Sequence, residues 1–165
     1  MKKFIKKIII FILILPILFC VLDFSFSKIL RTKSLYPGEL EVWNDILESK
    51  IDSEIAIYGS SRAWAHFNPA IFEKKSQKKT YNFGIDGHNF WLQYLRHKIY
   101  FKHNTKPKLI IVSLDALTLQ KKKDLYNLKQ FLPYMLWNND FYEYTSSYKG
   151  FNKYDYFVPY LRYVG

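Results

Sequence analysis

The chain has 165 residues and carries 25 Lys+Arg against 14 Asp+Glu, a net charge of +11, so it is sized for one domain with a basic surface. The cations are mostly lysines spread among many Ile, Asn, Tyr and Phe; no focused basic patch argues for nucleic acid, and such charge suits anionic lipid head groups or acidic wall polymers instead. The single cysteine, Cys20, excludes an internal disulfide framework.

Met1-Lys2-Lys3-Phe4-Ile5-Lys6-Lys7 opens the chain, and Ile8 to Leu22 then runs apolar, broken only by Pro16. Asp23 interrupts the run and Phe24 to Phe26 extends it. A helix crossing the hydrocarbon needs about 20 residues. Phe4 to Phe26 reaches that length if Lys6 and Lys7 snorkel to the interface. No small-x-small cleavage site lies between Leu15 and Lys33, which favours an uncleaved signal anchor over a removed signal peptide. Leu18 and Phe19 stand where a lipidated cysteine needs small residues, so Cys20 is read as buried in lipid and inert. The lysines at the start place that end in the cytoplasm and the rest of the chain outside it. Residues 1–30 are therefore expected to be a basic start and transmembrane anchor, 31–52 a linker with a short helix, and 53–165 an α/β domain.

Ser34 to Gly38 holds a Pro-Gly turn, and Glu39 to Lys50 carries Leu40, Trp43, Ile46 and Leu47 at helical spacing. Ser53 to Tyr58 reads as a buried strand entering a tight turn at Gly59. Pro69 to Lys75 reads as a helix with Asn68 as N-cap and Pro69 at the first helical position. Thr80 to Phe83 is a second strand, followed by Gly84-Ile85-Asp86-Gly87. Asn89 to Lys102 has one apolar helical face, and Leu109 to Leu114 is a third apolar strand ending at Asp115. Strands alternating with helices predict a parallel sheet covered on both faces, with function at the carboxyl ends of the strands. Gly59-Ser60-Ser61, Gly84 to Gly87 and Asp115 all fall at those ends. Beyond Asp115, Lys121 to Asp124 reads as a solvated face. The Tyr- and Phe-rich stretch from Gln130 onward has no period that assigns helix or strand, and its aromatics are read as core.

A serine on a sharp turn after a buried strand can present its hydroxyl at the top of the sheet, with backbone N–H groups of the following helix facing a developing oxyanion. Ile55-Ala-Ile-Tyr-Gly59-Ser60-Ser61-Arg62 resembles the first block of the SGNH/GDSL superfamily in its Gly-Ser-Ser-Arg variant. That variant is familiar from membrane-anchored bacterial proteins linked to surface-polysaccharide O-acylation. Tyr81-Asn82-Phe83-Gly84-Ile85-Asp86-Gly87 resembles the second block, Asn-x-Gly-x-x-Gly, and Pro107 to Asp115 the strand leading to the third. The resemblance covers about Ser53 to Thr118. It implies a flavodoxin-like parallel sheet, Ser61 as nucleophile, and the N–H groups of Ser61 and Gly87 as the oxyanion hole. Ser60, Arg62, Asn82, Asp86 and Asp115 would support the site, and the activity would be an esterase or O-acyltransferase acting on an acyl ester or cell-envelope glycan.

Two departures stand out. Asp115-Ala116-Leu117 replaces the asparagine of the third block, and no Asp-x-x-His follows residue 103. A serine hydroxyl is a poor nucleophile without a neighbouring base. Three explanations compete: a chain cut from a longer protein, a natural non-catalytic membrane-tethered binding or assembly relative, or a substitute base among the four histidines. His66 and His88 follow motif loops and are the plausible substitutes, while His97 and His103 lie on or just past the third helix. Arg62 could clamp an anionic group or pair with Asp86 or Asp115. Histidines and the cysteine are not spaced as metal ligands, and no phosphate-cradling glycine loop is present, so neither a metal nor a nucleotide cofactor is expected. The sequence does not set an oligomeric state.

Overall fold

The computed structural model describes residues 2–32 and 38–164. The expected Ser34–Gly38 turn lies, up to residue 37, outside the described residues. The first helix, α1, spans Lys2–Thr32 and contains Pro16. Within Lys3–Thr32 an 18-residue window reaches a mean hydropathy of 2.9 with almost none of it buried against the rest of the protein, so the helix is long and apolar enough to cross a membrane.

The remaining elements follow as α2 (Glu39–Leu47), β1 (Ile55–Tyr58), α3 (Ser61–His66), α4 (Pro69–Ser76), β2 (Thr80–Asn82), α5 (Phe90–His103), β3 (Leu109–Val112) and α6 (Asn139–Thr145), with short 3-10 turns near the C-terminus. The expected β-α-β-α-β order is present, and the three strands form one parallel sheet in the order β2-β1-β3. Register runs Ile55 opposite Thr80 and Leu109, and Ile57 opposite Asn82 and Ile111. The chain crosses from β1 to one edge and from there to the other. Right-handed crossovers therefore put α4 and α5 on opposite faces. Asn68 caps α4 as expected, its side chain accepting from the Ala70 N–H at 3.0 Å with Pro69 at the first turn.

β1 is buried along its whole length. On the face holding Ala56 and Tyr58 the core assembles from Trp43 and Ile46 of α2, Phe83, and Leu92, Leu95 and Ile99 of α5. The C-terminal aromatics complete it: Phe131 and Phe141 lie 5.9 and 5.1 Å from the Trp43 ring. The reading of the stretch as core holds for Phe131, Tyr134, Phe141, Tyr144, Tyr148 and Tyr156, whereas Trp137, Tyr154 and Phe157 are exposed. Large flat side chains supply the burial that a three-stranded sheet lacks.

The expectation that the sheet is covered on both faces fails at β3. Leu109, Ile110 and Val112 are 50%, 41% and 42% exposed. An edge strand has a neighbour on one side only, and among the described residues the α-helix that follows β3, α6, packs on α5 instead. The fold is thus α/β with a small parallel sheet behind an apolar N-terminal helix.

Candidate functional site at the strand ends

The turn after β1 is shaped by Gly59. A Cβ there would meet Ala63 Cβ at 2.5 Å and Ser113 Cβ at 2.9 Å. A bare backbone lets α3 start directly over the end of β3. Ser60 is the N-cap of α3, its hydroxyl 3.4 Å from the Arg62 N–H, and Ser61 is the first helical residue. Ser60 donates to Asp115 Oδ2 at 2.5 Å, tying the end of β1 to the end of β3. Asp115 Oδ1 accepts the Leu117 N–H at 2.9 Å, and its own N–H donates to Thr118 Oγ1 at 2.9 Å. The Ser60 hydroxyl above all, then the Leu117 and Thr118 bonds and the charge of Arg62, hold the Asp115 carboxyl below its ordinary range. The Asp115 carboxylate thus fastens the loop after β3.

The loop after β2 is locked to α3. Asn82 Nδ2 donates to the carbonyls of Ala63 (2.9 Å) and Phe67 (2.8 Å), and its Oδ1 accepts the Gly84 N–H at 2.8 Å. A Cβ on Gly84 would lie 2.5 Å from the Trp64 nitrogen. The Ile85 N–H donates to the Gly59 carbonyl at 3.2 Å. Asn82 and Gly84 therefore clamp the helix that carries Ser61. Gly87 has φ +70, a region where L side chains are strained, and Tyr126 Cβ occupies the place of its missing Cβ.

Ser61 is half-buried, and among the described residues its hydroxyl has no hydrogen-bond partner. The backbone N–H groups of Ser61 and Gly87 likewise donate to no protein acceptor among the described residues. α3 has only six residues, so its dipole adds little at the Ser61 N–H. Arg62 is exposed and forms no ion pair with Asp86 or Asp115. The expected pairing between these loops is carried by Ser60 instead.

Among the described residues no histidine hydrogen-bonds Ser61, and three of the four have other partners. His66 is exposed, its Nδ1 2.9 Å from the Arg62 carbonyl one turn back. His88 is buried beneath the second loop, accepting from Arg96 at 3.2 Å through Nδ1 and stacking on Phe131 at 5.8 Å. Burial, then the Arg96 charge, hold His88 well below the ordinary histidine range. His97 Nδ1 contacts the Tyr58 hydroxyl at 3.1 Å, and His103 is exposed at the end of α5. Among the described residues no group of His, Cys, Asp and Glu is arranged to hold a metal ion.

Two residues beyond the motif pattern matter to this site. Arg96 is fully buried, donates to the Phe83 carbonyl and lies 5.0 Å over the Trp43 ring. Burial pushes its pKa down to about 9. It supports the second loop from below, and a charge beside Leu92, Leu95 and Ile99 on an apolar helix face is the sign that could have marked it. Thr118 is buried, and its carbonyl accepts the Phe90 N–H at 2.7 Å, joining the third loop to the start of α5.

The class defined so far is an α/β protein with a three-stranded parallel sheet, polar loops at its strand ends, and an N-terminal helix of membrane-spanning length. No protein-family model, curated protein or solved structure matches the chain.

Proposed function

We propose that the strand-end site performs serine-dependent acyl chemistry, as esterase or O-acyltransferase, on an acyl-ester or glycan substrate of the cell envelope. In this reading α1 is a single-pass signal anchor and the globular part is extracytoplasmic. Lysines at positions 2, 3, 6 and 7 support that orientation. The fold is an SGNH-like sheet, for which the β2-β1-β3 order supplies the first three strands of a flavodoxin-like arrangement. The supporting observation is a half-buried serine at the start of α3 whose hydroxyl has no partner among the described residues, on a helix that Ser60–Asp115 and Asn82 tie to the ends of the other two strands.

Ser61 Oγ attacks the acyl carbonyl and its proton passes to a base. The oxyanion accepts from the Ser61 and Gly87 N–H groups. Collapse expels the alcohol, which takes the proton, and leaves an acyl-serine. Water or a sugar hydroxyl then takes the acyl group by the reverse sequence. No histidine hydrogen-bonds Ser61 among the described residues, so the base is a group brought to Ser61 when substrate binds, His66 and His88 being the candidates in this chain.

A second reading is a non-catalytic, membrane-tethered binding or assembly protein of the same fold. The unpartnered Ser61 hydroxyl and the mutually satisfied Ser60–Asp115 pair favour it. Hydrolysis of p-nitrophenyl acetate by the membrane-reconstituted protein separates the two. Acyl chemistry expects a rate that falls by about 10²–10⁴-fold in Ser61→Ala. Equal rates in the wild type and Ser61→Ala leave the binding protein.

A further inference from the structure

α1 carries one acidic residue in its apolar stretch, and that residue is not free. Asp23 is 4% exposed. Its carboxylate accepts both guanidinium Nη groups of Arg162, at 2.6 and 2.7 Å, and the Tyr160 N–H at 2.6 Å. One turn on, Ser27 Oγ lies 2.7 Å from the Tyr163 hydroxyl. Phe26 packs its ring on Tyr160 and Tyr163 at 5.3 and 5.8 Å, and Phe19 stacks on Tyr160 at 6.5 Å. The C-terminal segment is thus fastened to α1 over two turns.

The depth of that clamp follows from helix geometry. A hydrocarbon core about 30 Å thick takes about 20 helical residues. Counted from Phe4 the span ends at Asp23; counted from Ile8, just past the lysines, it ends at Ser27. The segment that contacts residues 19–27 therefore sits at the rim of the bilayer. The surface there is apolar and aromatic: Trp137, Tyr154, Phe157, Leu161 and Val164 are 64%, 60%, 43%, 40% and 68% exposed. Trp137 is joined to the segment by its Nε1, which donates to the Phe157 carbonyl at 3.0 Å. Lys28 and Arg31 follow in the next turns of α1, level with lipid head groups. Exposed aromatics with a polar edge, bordered by cations, match the chemistry of the membrane interface.

We infer that residues 154–164 with Trp137 form a second membrane contact, an interfacial belt that the Asp23–Arg162 clamp holds against the bilayer so that the α/β domain lies on the lipid surface. The inference rests on α1 spanning the membrane. The occupant of the belt is lipid, because the surface is continuous with the helix that would enter it.

The test uses the full chain with Cys20→Ser, reconstituted in nanodiscs of phosphatidylcholine and phosphatidylglycerol. Nitroxide labels are placed singly at Phe157→Cys, Val158→Cys and Leu161→Cys, with Ile12→Cys as a reference inside α1. Relaxation by oxygen and by a water-soluble nickel chelate is compared at each position. The expected result is oxygen access with loss of nickel access at all three belt positions, at a depth shallower than Ile12. Nickel access at the belt with Ile12 in hydrocarbon overturns the belt and leaves the anchor standing. Low access to both reagents at the belt assigns the surface to protein, such as a second copy of this chain, and also overturns it. Nickel access at Ile12 itself removes the spanning helix and the belt with it.

Discussion

Two polar ties join distant parts of this chain, and they behave oppositely. Ser60 and Asp115 are 55 residues apart and meet at the strand ends, beside an exposed Arg62 and a half-buried Ser61. Asp23 and Arg162 are 139 residues apart and meet with side chains only 5% and 1% exposed. In a dry contact a lost partner leaves a charge with no solvent to turn to. At the part-buried Ser60–Asp115 tie, water can take the vacated place. The buried pair is therefore architecture, and the part-buried one can exchange with solvent.

The largest expected effect breaks the buried tie. Arg162→Met leaves Asp23 uncompensated and is expected to cost about 3–5 kcal/mol, read from urea unfolding in micelles. Asp23→Leu with Arg162→Met should recover most of that loss; equal loss in single and double variants would deny the coupling. Next comes the packing around the open site. Gly84→Ala places a methyl against the Trp64 backbone and is expected to cost about 1–3 kcal/mol. A neutral outcome would show that α3 can retreat.

The buried histidine gives a pH effect with a definite sign. His88 is held below its ordinary value of 6.5, so the unfolded chain binds the proton more readily than the folded one. Stability is then level above that pH and falls below it, by up to about 1.4 kcal/mol per pH unit until the folded value is reached. His88→Gln, which keeps an acceptor for Arg96, should flatten unfolding midpoints measured between pH 7 and 5. An unchanged slope would place the titration elsewhere. The smallest expected effect is Ser60→Ala, at about 0.5–2 kcal/mol, since it removes the bond to Asp115 and the N-cap contact with the Arg62 N–H at a part-buried site. A loss as large as that of Arg162→Met would erase the distinction between the two ties.

The apolar helix, the three strands and the capped α4 were legible because each is a local pattern: an uninterrupted apolar run, a glycine turn, or an Asn-Pro pair. The same patterns could not tell β1 from β3, since Ile-Ala-Ile-Tyr and Leu-Ile-Ile-Val are equally apolar and only their neighbours differ. Beyond Asp115 the chain is held by short-range caps and long-range ring contacts rather than by a period. Asn152 and Asp155 form a capping box on a 3-10 turn, and Phe131 and Phe141 reach Trp43. Asp23 was visible as a break in the apolar run, but its partner at the other end of the chain was not. At the site, the positions of Ser61, Gly84 and Gly87 could be read, whereas the Ser60–Asp115 tie and the supporting Arg96 depend on side chains meeting across the sheet.

The most direct measurement is covalent labelling by a fluorophosphonate probe, applied to the protein in its native membranes, with Ser61→Ala and Ser60→Ala as controls. The expected result is labelling of the wild type and of Ser60→Ala that vanishes in Ser61→Ala. A wild type that takes no label, or a label that survives in Ser61→Ala, would contradict Ser61 as an activated nucleophile.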